Sequence, residues 1–163
     1  MNSLPNHGPP DNSEDLKPPP SPEPVEQDDY PNVRFWKLEE WSKYVERQKE
    51  MGQTYPSMGW LTDEDGIDLD DEVLKKMTLE AYGIFSKLYY HRLDPNTWRL
   101  RQPDVTTFFC NTMRSKFEVL NLADGDWKAH FFVTSRYPNW NRYHRVPGHL
   151  KCLLLLNSNI PIS

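Results

Sequence analysis

Carboxylates, histidines and a cationic aromatic stretch are the parts of this chain whose residue types could do chemistry, and the carboxylates are the most crowded. Asp63, Asp65, Asp68, Asp70, Asp71 and Glu72 fall within ten positions, with Gly66 among them. If Gly66 is taken as the glycine of a calcium loop, Asp63, Asp65 and Glu72 occupy its third, fifth and twelfth positions. Leu61 would then stand first, with no side-chain oxygen, and Asp68 would stand eighth, where an apolar residue belongs. The stretch therefore reads as a turn running into a helix N-cap, and no calcium is expected.

His130, His144, His149 and Cys152 include one His-x-x-Cys pair, at 149 and 152. A structural zinc site needs two close ligand pairs. The second is missing, since the other cysteine, Cys110, stands alone inside an apolar pattern and reads as a small core residue. No Gly-x-Ser-x-Gly elbow, phosphate loop, dinucleotide fingerprint or His-Glu-x-x-His helix occurs. No catalytic residue, cofactor-binding residue or metal ligand is nominated.

The second half is cationic. Residues 81–163 carry eleven bases against five acids, a net +6, whereas residues 1–31 carry one base against seven acids and residues 32–80 seven against twelve. Arg136, Arg142 and Arg145 flank Tyr137 and Trp140. Cations neutralise phosphate and exposed rings stack on bases, so these five residues are the candidate nucleic-acid surface. The competing reading turns the same rings inward and leaves the arginines as an ordinary solvated face.

The elements that must position these groups follow from apolar spacing. Phe35, Leu38, Trp41 and Val45 predict a helix over about 34–50, with Gly52 as its stop. Tyr55-Pro56, Gly59 and the turn formers Asp63 to Gly66 predict an irregular loop or short hairpin. Asp70 is a suitable N-cap for a helix over about 71–91, on which Val73, Met77, Ile84 and Leu88 share a face and which ends before Asp94-Pro95. Asp104 is the expected cap of a third helix, 105–120, bearing Val105, Phe109, Met113 and Phe117. Trp127 and Phe131 open a fourth, shorter helix that should stop before Pro138.

The chain has 163 residues, of which 37% are hydrophobic and 13% aromatic, with six Trp, so a single small core must rely on large rings. Trp41, Trp60, Ile84, Leu88, Trp98, Phe109, Met113, Phe117, Trp127 and Phe131 are its expected members. Nine prolines and almost no apolar side chains occupy the first 31 residues, which cannot offset the entropy of ordering them. They are expected to be a disordered tail without effect on stability, although Pro20, Pro22 and Pro24 suit a polyproline ligand. At the other end, Leu153 to Leu156 sits in a stretch with no amphipathic period, far short of the roughly 20 residues that span a bilayer. That terminus is expected to be an irregular tail arising from an inaccurate gene boundary or intron read-through.

Leu61-x-Asp63-Glu64-Asp65-Gly66, the amphipathic helix after it, Thr97-Trp98, the helix with Met113 and Phe117, Trp127-Lys128-Ala129 and Tyr137-Pro138-Asn139-Trp140 form an ordered set. Over about 33–141 this set resembles a family of uncharacterised proteins abundant in basidiomycete fungi. Arg92 and Arg99 stand where that family tends to have glycine, and Glu118 where it tends to have proline. The family has no established activity, cofactor or catalytic residue, so the resemblance implies a fungal origin and a compact domain without assigning any role.

The expected architecture is all-α: a small four-helix domain at 33–141 with an aromatic-rich core, an acidic proline-rich tail at 1–32 and an irregular tail at 142–163. The expected function is a non-enzymatic protein-interaction domain with an unknown protein partner. A nucleic-acid-binding module is the alternative, and an enzyme of unknown class the third reading. Two distant cysteines, no signal peptide and no membrane anchor point to an intracellular setting, in cytoplasm or nucleus.

Overall fold

Each helix begins and ends for a local reason. A computed structural model describes residues 12–145; residues 1–11 and 146–163, with His149, Cys152 and Leu153 to Leu156, lie outside the described residues. Helix α1 spans Leu38–Glu50. It starts four residues later than the spacing predicts, because the Glu40 carboxylate accepts the backbone N–H groups of Trp36 (2.7 Å) and Lys37 (2.9 Å) and so sets the entry. Gly52, at φ +63°, ends it as expected, with Gln53 N–H donating to the Gln48 carbonyl.

Helix α2, Asp71–Tyr90, is capped by Asp70, whose Oδ1 accepts from Val73 N–H at 2.8 Å. Its buried stripe is Met77, Ala81, Ile84, Phe85 and Leu88. Arg92 adopts the left-handed conformation at its end (φ +59°), letting Leu93 N–H reach the Leu88 carbonyl.

Helix α3 runs over Pro103–Lys116, so Pro103 holds the first helical position and Asp104 lies within the first turn rather than capping it. It stops short of the expected residue 120. Phe117 is extended, a 3-10 turn covers Glu118–Asn121, and Asn121 exchanges hydrogen bonds with the Arg114 side chain and carbonyl.

Helix α4 spans Trp127–Arg145 and passes through Pro138, contrary to the expected stop. Proline removes the donor to the Thr134 carbonyl, but Thr134 and Pro138 are exposed, so water can satisfy that oxygen. Tyr137 and Trp140 meanwhile bury their rings on either side of the proline, which opposes any break.

Phe85 meets Tyr137 and Trp140, and Tyr89 meets Trp140 and His144, so α2 and α4 run parallel. Phe85 stacks on Phe109 while Glu80 pairs with Lys116, so α3 returns antiparallel beside α2. Helix α1 stands outside this trio and joins it through rings: Trp41 packs against Phe35, Tyr44 and Tyr55 in a core continuous with Trp60, Phe85 and Trp98. The described domain is thus all-α with an aromatic core. Among the described residues the one extended pairing is an isolated bridge between Thr62 and Asp68, and no helix is long and apolar enough to cross a membrane.

Eight of the ten expected core residues are buried. Phe117 is half-buried, and Phe131 is 36% exposed while Phe132 takes the interior. The spacing from Trp127 to Phe131 is helical, but the inward stripe of α4 is Ala129, Phe132, Val133, Tyr137 and Trp140.

The acidic proline-rich segment has no regular secondary structure between residues 17 and 26, in keeping with its composition. It nevertheless touches the domain. Leu16 packs on the main core, Asn111 Nδ2 donates to the Pro19 carbonyl at 2.9 Å, and Val25 and Tyr30 pack against Val33, Trp36 and Leu122. A few apolar side chains, spaced far apart, suffice because the surface that receives them is already formed.

Candidate functional site

Tyr137 and Trp140, nominated as stacking platforms, are 1% and 2% exposed. The Tyr137 hydroxyl donates to the Pro95 carbonyl, and Trp140 stacks on His144 at 4.1 Å. Neither ring is free to receive a base, because both face α2 at helical spacing. Arg136 is half-buried with its guanidinium over the Phe132 ring at 5.3 Å. Arg142 is exposed, and Arg145 is the last helical residue. The five residues share α4, and its two nominated rings are buried rather than presented for stacking.

The carboxylate run does not converge on an ion. Asp63 Oδ1 accepts the N–H groups of Asp65 and Ile67 (both 2.9 Å), Asp70 is spent on the cap of α2, and Glu72 faces Lys76. Gly66, at φ +77°, completes this turn and presses it on the entry segment: a Cβ there would lie 2.2 Å from the Asn32 carbonyl oxygen. The turn belongs to the loop expected between the first two helices.

Asp63, Glu64 and Asp65 of this turn also line a cleft of about 480 Å3. Asp63, Glu64 and Asp65 form one wall, Glu118, Val119, Asn121 and Leu122 a second, and Val25 and Tyr30 of the N-terminal segment a third. Tyr30 is held by stacking on Trp36 (6.4 Å, 19°). The Trp36 carbonyl accepts both Asp124 N–H and the Trp127 indole N–H at 2.9 Å. Four carboxylates therefore rim an apolar floor, and among the described residues no lysine or arginine lines it.

No family model, curated protein or solved structure matches the chain.

Two further sites escaped sequence reading. Cys110, expected to be an isolated core thiol, is buried and free but has Asp126 and His130 beside it, the three ligand atoms lying within 4.8 Å of one another. Burial first, and the Asp126 carboxylate second, push the thiol up to about 12. His130 thus pairs with Asp126 (3.2 Å) rather than with His144, which stacks on Trp140. The i,i+4 spacing of Asp126 and His130 was the only visible signal.

Lys128 is fully buried, and among the described residues no hydrogen-bond acceptor meets its Nζ. Desolvation lowers it to about 8, opposed by the Glu40 carboxylate, while its ammonium lies 5.7 Å from the centre of the Trp127 ring.

Proposed function

We propose that this chain is a non-enzymatic interaction domain whose acidic cleft holds a basic, extended segment of a partner protein. The observation that carries the reading is the lining: Asp63, Glu64, Asp65 and Glu118 without a neutralising cation, over Val25, Tyr30, Val119 and Leu122. A lysine or arginine lays its alkyl stem on such a floor and sets its charge among the carboxylates. The free thiol of Cys110 is compatible with an intracellular setting. Its thiol, held protonated near neutral pH, lends no support to a cysteine-nucleophile enzyme. The nucleic-acid alternative keeps exposed Arg142 but is without Tyr137 and Trp140 as stacking rings.

Calorimetric titration of the full chain with short, end-capped peptides carrying Arg or Lys beside Leu tests this. Saturable binding is expected, weakened by salt and weakened roughly tenfold in the double variant Asp65→Asn, Glu118→Gln, at up to about 1 kcal/mol for each exposed charge pair. An oligonucleotide that binds more tightly than every such peptide, or an unaffected double variant, would contradict it.

A further inference from the structure

We propose that Cys110, Asp126 and His130 form a binding site for a borderline-soft divalent cation of the zinc type. Cys110 comes from the middle of α3 and is 2% exposed; Asp126 is the residue before α4, and His130 lies one turn into that helix. Asp126 and His130 are half-buried, so an ion approaches past them and meets the sulfur as the floor of the site.

The spacing suits such an ion. Zinc takes nitrogen and oxygen ligands at about 2.0 Å and sulfur at about 2.3 Å in tetrahedral array, which places neighbouring N and O ligands about 3.3 Å apart. His130 Nε2 and Asp126 Oδ2 are already 3.2 Å apart. Cys110 Sγ falls within 4.8 Å of the other two ligand atoms, and a tetrahedral S–N or S–O edge is about 3.5 Å, so closing the two remaining edges takes at most about 1.3 Å of movement. The donor set selects among cations: thiolate and imidazole disfavour magnesium and calcium, which require oxygen, and suit zinc or cobalt. Three protein ligands leave a fourth position for water or an outside group.

Binding exchanges a proton for the metal. As the Sγ–metal bond forms, the S–H bond breaks, its electron pair becomes the donor pair and the proton passes to solvent. The ion's charge offsets the burial and the neighbouring carboxylate that otherwise keep the sulfur protonated.

The full chain, reduced and freed of metal, is titrated with Co2+ and followed by absorption. One equivalent is expected to produce a thiolate-to-cobalt charge-transfer band in the near ultraviolet and visible bands of tetrahedral cobalt, both removed by Zn2+. Cys110→Ser should abolish the charge-transfer band, Cys152→Ser should keep it, and His130→Gln should weaken binding by roughly tenfold or more. Absence of the band in the parent protein, its survival in Cys110→Ser or its loss in Cys152→Ser would overturn the proposal. Should Cys110→Ser fail to fold, His130→Gln decides: unchanged cobalt affinity overturns the site, and lost affinity supports it.

Discussion

The indole N–H of Trp127 donates to the backbone carbonyl of Trp36 across 91 residues of sequence, at 2.9 Å. This bond ties the first turn of α4 to the segment that enters α1, where Trp36 packs with Val25, Tyr30 and Leu122. Trp127→Phe keeps most of the ring and loses the bond, at an expected cost of about 1 kcal/mol. Trp127→Ala also empties the space against Trp60 (5.8 Å) and should cost about 3–5 kcal/mol. Denaturant melts of both variants measure the difference, and equal losses would remove the role of the hydrogen bond.

Gly66 and Gly52 both have positive φ, but only Gly66 meets a neighbour where a Cβ would be. Gly52→Ala should cost about 1 kcal/mol for backbone strain alone. Gly66→Ala should cost more, roughly 2–3 kcal/mol, since the turn must also move away from Asn32. Thermal melts rank the two variants, and a milder effect at Gly66 would mean that the turn does not press on the entry segment.

Lys128 makes stability rise with pH. Below about 8 the lysine is charged in both folded and unfolded chains, and the folded state bears the full cost of the buried charge. Between about 8 and 10.5 the folded chain has released the proton while the unfolded chain keeps it. Stability therefore climbs through that window, by about 3 kcal/mol in total. Cys110 acts in the opposite sense, because its thiol stays protonated in the folded chain from about 9 to about 12. Comparing the parent with Lys128→Met isolates the lysine: the variant should be more stable near neutral pH, and its advantage should vanish above about 10.5. An advantage independent of pH would show that packing, not charge, sets the cost.

Removal of residues 1–31 takes away Leu16, Val25 and Tyr30 together with the acceptor for Asn111. The loss should be about 2 kcal/mol, given that all three side chains are only half-buried. A melting temperature unchanged by the truncation would return the segment to the detached tail that its composition suggests.

Helices α2 and α3 were legible because local signals agreed: the Asp70 cap, the stripe from Met77 to Leu88 and the run from Val105 to Met113. Local signals failed where packing overrode them. Pro138 marks a helix end in isolation, yet Tyr137 and Trp140 gain their burial only if the helix continues. Proline content likewise described the backbone of the N-terminal segment but not the receiving surface formed by Val33, Trp36 and Leu122. The cleft joins residues near 25, 64 and 118, and the Cys110–His130 contact crosses two helices, so neither has a spacing that sequence periodicity can report. Tyr137 and Trp140 show the converse: their types and neighbours suited an exposed platform, and only helical phase against α2 settles that they are core.

Amide chemical-shift mapping of the full chain during titration with a capped Arg-Leu-Arg peptide at low salt tests the central claim most directly. Salt-sensitive, saturable shifts should concentrate at Val25, Tyr30, Asp63 to Asp65 and Glu118 to Leu122, the residues around the cleft. Shifts gathered instead around Arg142, or none that saturate, would contradict the assignment of the acidic cleft as the binding surface.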